Sequence, residues 1–280
     1  MTLSGLEYTI VSDGQVWVDA GGPFGLVPRG LYETYLKPDE FNRVPMVLNC
    51  LLLRSEGKTI MIDTGLGNKL TPVEKERWNL DRTNGGLVEN LAEQGVGVND
   101  VDIVINTHLH TDHCGGNTVV EDGSLAAAFP NAEYWVQRIE WARAYHPDAR
   151  TRGTYFSDNF VPLQKDGRLR LLFGDTSVTK HVDCVLTPGH TRGHQSVKME
   201  SESWGGLFVA DMASFGIQMA KTAWLTAYDV LPLENIRTKR KWQKWALENQ
   251  AKLFFEHDPA MKIAQLVEEA GQLELKIVDT

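Results

Sequence analysis

The chain is 280 residues long, 42% hydrophobic and 23% charged, with a formal net charge of −9. That is the composition of an ordinary globular protein, long enough to bury a sizeable core without crosslinks. The acidic balance repels phosphate backbones and argues against a nucleic-acid partner.

The N-terminal 45 residues read as a strand followed by the apolar, Gly/Pro-rich stretch "GGPFGLVPRGLYETYLKPDEFNRVP". Such a stretch is expected to cap a site or to pack on a second subunit, giving a homodimer. "MVLNCLLL" (46–53) and "KTIMID" (58–63) are strand-like, joined by "RSEGK" with its turn at Gly57. "LVENLAEQG" (87–95) has a helical pattern, "VDIVINT" (101–107) reads as a buried strand, and "IEWARAYH" (139–146) as a helix. Strands follow in "VDCVLTPG" (182–189), "GGLFVAD" (205–211) and "AKLFFEHD" (251–258). Helices are expected over 234–250, with the basic run 237–245 as its solvated side, and over "PAMKIAQLVEEAG" (259–271). The order gives one mixed α/β domain over 1–280, with packed sheets and outer helices. Cys50, Cys114 and Cys184 are too few and too scattered for a disulfide framework. No basic-then-apolar leader opens the chain, and no apolar run approaches the ~18 residues of a membrane span. A cytoplasmic protein without a membrane partner is the expectation.

The chemistry concentrates in "NTHLHTDHCGGN" (106–117), which holds three of the eight histidines. In extended chain, residues two apart face the same side, so His108 and His110 can reach one ion. Asp112 and His113 follow, and "CGGN" is read as a sharp turn that aims them at a neighbouring point. Imidazole and carboxylate suit zinc and other borderline metals. Three further apolar runs end in His190, Asp211 and His257, and strand ends hold such residues rigidly. Asp63 reads as structural or as support behind a ligand. His194 reads equally as an orienting residue or a strand-end polar group. Cys114 is expected to point away from the metals, and His146 and His181 to lie at the surface.

"THLHTDHCGGN" resembles the signature of the metallo-β-lactamase superfamily, and "IDTGLG" (62–67), "TPGHTRGHQS" (187–196), "FVAD" (208–211) and "FFEHD" (254–258) are similar to its later motifs, in order. The resemblance implies a four-layer αββα sandwich. It assigns His108, His110 and His190 to one divalent ion, Asp112, His113 and His257 to a second, and Asp211 to a bridge between them. Zinc is the first choice of metal, with manganese, iron or cobalt admissible. It implies a hydrolase in which a metal-bridging hydroxide attacks an ester carbonyl or phosphorus centre, while Asp112 passes a proton to the leaving alkoxide.

Within the superfamily, the bridging Asp211 argues against true β-lactamases. The 23 residues after His257 are too few for the helical extension of glyoxalase II. The sequence is most similar to quorum-quenching N-acyl homoserine lactonases and related organophosphate hydrolases. A small-molecule acyl lactone is therefore the expected substrate, with phosphotriester or aryl-ester hydrolysis as the alternative, and a metal-binding sensor or scaffold as the non-enzymatic one. The chain departs from the lactonases at Ser214, where they carry a tyrosine that helps hold the lactone carbonyl. Tyr228 is a candidate to serve from another loop. Apolar pocket walls are expected from Phe24, Leu26, Phe215 and Trp224.

Overall fold

A computed structural model describes residues 5–278. Alternation of side chains builds its first sheet. The strands β1 (Leu6–Asp19), β2 (Arg43–Ser55), β3 (Lys58–Ile62) and β4 (Ile103–Ile105) lie side by side. Successive residues of a strand face opposite ways. Leu51, Leu53, Ile60, Ile62, Ile103 and Ile105 enter one buried cluster, while Cys50, Leu52, Met61 and Val104, which alternate with them, enter another. Both faces of this sheet are therefore covered, which is why its strands read as near-continuous apolar runs.

A hairpin of β5 (Thr118–Glu121) and β6 (Ser124–Ala127) stands apart, and β7 (Glu133–Gln137) and β8 (Leu169–Leu172) complete the six-stranded sheet in the order β1-β2-β3-β4-β7-β8. The second, seven-stranded sheet contains β9 (Thr176–Thr179), β10 (Val182–Leu186), β11 (Gln195–Glu200), β12 (Gly205–Phe208), β13 (Lys252–Phe254), β14 (Ile263–Glu269) and β15 (Gln272–Ile277), ordered β15-β14-β13-β12-β11-β10-β9. Cys184, Val197, Met199, Phe208 and Phe254 of this sheet pack on the first sheet's Leu51 and Ile62 face. The helix Leu87–Glu93 covers the outer face of the first sheet through Leu87 and Leu91. The helix Pro232–Asn249 covers the outer face of the second through Trp242 and Ala246, against Val185, Leu207, Leu253 and Phe255. The result is the four-layer αββα sandwich, with parallel and antiparallel pairs mixed in both sheets.

Two expectations need correction. Residues 259–271 are not a helix: β14 pairs with β13 and returns through a tight turn at Ala270 and Gly271, both at positive φ, into β15. Helix propensities of ordinary residues differ by at most ~0.7 kcal/mol each. Here β13 offers an open edge, Ile263 and Ala264 pair with it, and Ile263, Ala264 and Leu266 are all buried, so tertiary burial outweighs the local preference. The basic run 237–245 is not wholly solvated either. Lys239 is fully buried, and its ammonium donates to the carbonyls of Trp224 at 2.7 Å and Gln218 at 3.3 Å. Among the described residues, no helix is long and apolar enough to cross a membrane.

Candidate metal centre

The carboxyl ends of β3, β4, β10, β12 and β13 open on one edge of the sandwich, and each releases a polar residue there. His108 and His110 leave the end of β4 in extended chain, and the short helix Thr111–Cys114 then carries Asp112 and His113. His190 sits in the loop after β10, Asp211 just beyond β12, and His257 just beyond β13. The glycines of "CGGN" act differently from expectation. Neither Gly115 nor Gly116 has positive φ. A Cβ on Gly115 would overlap the carbonyl of Leu66, and one on Gly116 that of Thr64. They permit close approach of the "IDTGLG" turn, which is stitched to the histidine helix by Thr64 N–H donating to His113 O at 2.8 Å.

The seven sequence-predicted residues converge in two groups around one carboxylate. His110 Nδ1 lies 3.1 Å from His190 Nε2, which lies 3.1 Å from Asp211 Oδ2; His108 Nε2 is 3.8 Å from the same oxygen. On the other side, His113 Nε2 and His257 Nε2 are 3.1 Å apart and each is 3.4 Å from Asp211. Asp112 Oδ2 is 3.9 Å from His113 Nε2 and 3.8 Å from His257 Nε2. Possible ligand atoms within each group all lie within 4.8 Å of one another.

The hydrogen-bond partners of the imidazoles decide whether these residues fit metal ions. His257 Nδ1 faces the carbonyl of Val47 at 2.9 Å, so it must be the protonated nitrogen, and Nε2 presents a lone pair. His113 Nδ1 faces the carboxylate of Asp63 at 3.0 Å, which fixes the same tautomer. The two Nε2 atoms face each other at 3.1 Å amid the carboxylates of Glu256, Asp112 and Asp211, which outweigh burial and raise the His113 pKa well above the ordinary histidine range, a field that suits a cation between the rings. His190 Nδ1 is likewise held by Asp229 at 2.9 Å, turning its Nε2 lone pair toward His110. His108 Nε2 is buried with no hydrogen-bond partner. Burial holds His108 and His110 well below the ordinary histidine range, and neighbouring imidazoles push the same way. For His190 burial acts in that direction too, but the Asp211 and Asp229 carboxylates outweigh it and raise its pKa. Imidazoles and carboxylates aimed at shared points suit two divalent cations.

A supporting shell surrounds them. Asp63, at positive φ, accepts from Thr107 N and Oγ1 at 2.8 and 2.6 Å as well as facing His113. His194 Nε2 accepts from the backbone N–H of Asp211 at 3.1 Å, and burial lowers its pKa to about 3, so it stays a neutral acceptor. Ser214 donates to Asp211 Oδ1 at 2.8 Å. Cys114 turns away, its thiol against Leu109 O. His146 is exposed, while His181 is half-buried with Nδ1 2.8 Å from Glu200 O. Three acidic residues escaped the sequence reading. Asp229 orients His190. Glu140, fully buried, accepts from Leu109 N–H at 3.1 Å and from Thr191 Oγ1 at 2.6 Å, tying the loops of His108–His110 and His190 together. Glu256 lies 3.0 Å from His113 Nδ1, and burial pushes its carboxyl well up. Glu256 was visible inside "FFEHD"; the other two stand in segments with no local signal.

Above the centre lies a cavity lined by Val18, Pro23, Met46, Trp78, Phe156 and Tyr228, with His110, Asp112, His190 and Asp211 at its base. The expected wall residues are elsewhere. Phe24 and Phe215 are fully buried, stacked 5.4 Å apart, Leu26 is fully exposed, and Trp224 packs edge-on to Phe24. A wider cleft of about 320 Å³ adjoins the cavity and shares Trp78, Thr111 and Phe156 with it.

Known proteins place this arrangement. An N-acyl homoserine lactonase of Bacillus thuringiensis is 30% identical over 176 residues, 59% of this chain and 63% of that protein. The match thus spans less than two thirds of that relative's own length. The lactonase AttM of Azorhizobium caulinodans is 28% identical over 190 residues, 65% of this chain and 67% of its own. Among solved structures, a probable metal-dependent hydrolase from Staphylococcus aureus superposes with a TM-score of 0.89 over 100% of this chain and 99% of the other, at 24% identity. AidC, a dizinc quorum-quenching lactonase, superposes with a TM-score of 0.79 over 100% of this chain and 97% of its own, at 22% identity. The pattern of the metallo-beta-lactamase superfamily matches residues 43–249, and the chain belongs to that superfamily.

Proposed function

We propose that this hydrolase holds two divalent ions, zinc first among them, and opens N-acyl homoserine lactones. The observation that carries the reading is the pair of His/Asp groups sharing Asp211 at the base of an apolar-walled cavity. His108, His110 and His190 would hold one ion, Asp112, His113 and His257 the other, with Asp211 common to both. Bound there, the ions would supply Lewis acidity and acidify a water. The chain's own residues do the rest. Asp63, Asp229 and Val47 O fix the histidine tautomers. Ser214 and His194 fix Asp211. Asp112, whose side chain remains 16% exposed to the cavity, is placed to hold a proton and release it to the ring oxygen as the acyl–oxygen bond breaks. Water is added across that bond, giving a carboxylate and a hydroxyl. Val18, Met46, Trp78 and Phe156 exclude water around the acyl group, and the adjoining cleft gives an acyl chain somewhere to run.

The lactonase activity of the relatives supports the lactone. Phosphotriester hydrolysis remains a second reading because Ser214, bonded to Asp211, does not extend a donor into the cavity as the lactonases' tyrosine does. Steady-state kinetics on a lactone series beside an aryl phosphotriester tests the choice: a phosphotriester with higher kcat/KM than every lactone rejects the lactonase. Inactivity of the metal-loaded protein on all of them favours a sensor or scaffold. Leu26 and Leu31, both exposed on the stretch after β1, support a homodimer. Three free cysteines fit a cytoplasmic setting.

A further inference from the structure

Four hydroxyl-bearing residues line the cavity: Thr111, Thr154, Ser214 and Tyr228. Three are already donating within the protein. Thr111 Oγ1 donates to Thr154 O at 3.2 Å, Thr154 Oγ1 to Thr151 O at 2.8 Å, and Ser214 Oγ to Asp211 at 2.8 Å. The Tyr228 hydroxyl forms no hydrogen bond with any of the described residues.

Its position is nevertheless fixed. On one side, Ala227 N–H donates to Gly22 O at 2.8 Å. On the other, the Asp229 carboxylate holds His190 Nδ1, and Val230 N–H donates to His190 O at 3.0 Å. Arg150 clamps the carbonyls of Ala227 and Asp229 at 2.8 and 2.9 Å. The tyrosine backbone is thus tied to Gly22 on one flank and to His190 of the metal centre on the other. The hydroxyl itself crosses directly over Gly22, where any Cβ would overlap it. Gly22 is not at positive φ, so space for this hydroxyl, rather than backbone freedom, is what its missing side chain provides. The side chain is still 42% exposed, and its partial burial, with the charges of Asp112, Asp211 and Asp19, raises the phenol to about 12, so it keeps its proton.

We propose that Tyr228 is the hydrogen-bond donor to the lactone-ring carbonyl oxygen of the substrate, holding the oxyanion that develops there. No bond is made or broken at the phenol; the proton stays on Tyr228 throughout. This rests on the hydrolase reading above and assigns the carbonyl-facing donor to a residue that Ser214 cannot replace.

The test compares zinc-loaded wild type with Tyr228→Phe, which keeps the ring, and with Gly22→Ala, which keeps the hydroxyl but displaces it. N-hexanoyl homoserine lactone hydrolysis and calorimetric binding of the ring-opened N-hexanoyl homoserine are measured, with zinc content and Tm as controls. Both variants are expected to lose about 10²-fold in kcat with little change in KM, and to bind the hydroxy acid several-fold more weakly, at unchanged zinc content and Tm. A Tyr228→Phe variant within twofold of wild type in both turnover and binding overturns the assignment while leaving the hydrolase reading intact. A wild type that neither hydrolyses the lactone nor binds the hydroxy acid overturns both.

Discussion

Asp229 Oδ1 lies 2.9 Å from His190 Nδ1, and the same carboxylate accepts from Thr226 Oγ1 at 2.9 Å and Asn235 Nδ2 at 2.8 Å. This buried carboxylate, 39 residues from the histidine it orients, sets the ring's tautomer and aim. Outer partners of this type are worth roughly 10–100-fold in metal affinity. Asp229→Asn is expected to lower zinc affinity by about that factor in chelator competition. Unchanged affinity would show that His190 is aimed by its backbone alone.

His110→Ala removes a nitrogen from the His108/His190 group. Metal analysis of the wild type should give close to two equivalents per chain, and the variant close to one, with hydrolysis abolished. A wild type saturated at one equivalent contradicts the dinuclear assignment.

Asp112→Asn preserves shape but removes the proton carrier. Turnover should fall by about 10²–10⁴-fold even where added metal restores occupancy. Near-normal turnover in the occupied variant would take Asp112 out of the acid role.

Lys239 gives a stability signature. Burial lowers its pKa from 10.5 to about 8, with Asp229 opposing the shift. Below about pH 8 both folded and unfolded chains carry the charge. Between about 8 and 10.5 the unfolded chain binds more protons than the folded one, so stability from this group rises with pH across that window. Denaturation midpoints of the metal-loaded protein at pH 8 and 9.5 should show a smaller rise in Lys239→Met than in wild type. Equal slopes would mean that water reaches the ammonium.

The stretch after β1 divides between burial and exposure. Phe24 and Tyr32 stack 4.5 Å apart in the core, while Leu26 and Leu31 face outward. Light scattering at micromolar concentration should give a dimer mass. A monomer mass would leave the outward leucines as ordinary exposed surface.

Much of the site was legible because its chemistry is local. His108, His110, Asp112 and His113 occupy a single strand end and one helical turn, and their spacing alone gives two adjacent side-chain directions. His190, Asp211 and His257 each close an apolar run, a pattern that needs no tertiary knowledge. The central strands were legible for the same reason, since residues buried on both faces leave long apolar runs. Tertiary structure decided the rest. Whether 259–271 became helix or hairpin depended on the open edge of β13, a partner that exists only in the folded chain. Lys239 turned inward because two distant carbonyls, of Gln218 and Trp224, lacked donors. Asp229 and Glu140 took their places because a buried imidazole or amide must find an acceptor, and folding brings that acceptor from another segment. Sequence periodicity records which residues are buried and which ligands sit together. It does not record which remote group satisfies them, because that is fixed by how the two sheets and their loops pack, which brings Asp229 to a histidine 39 residues away and Glu140 to an amide 31 residues away.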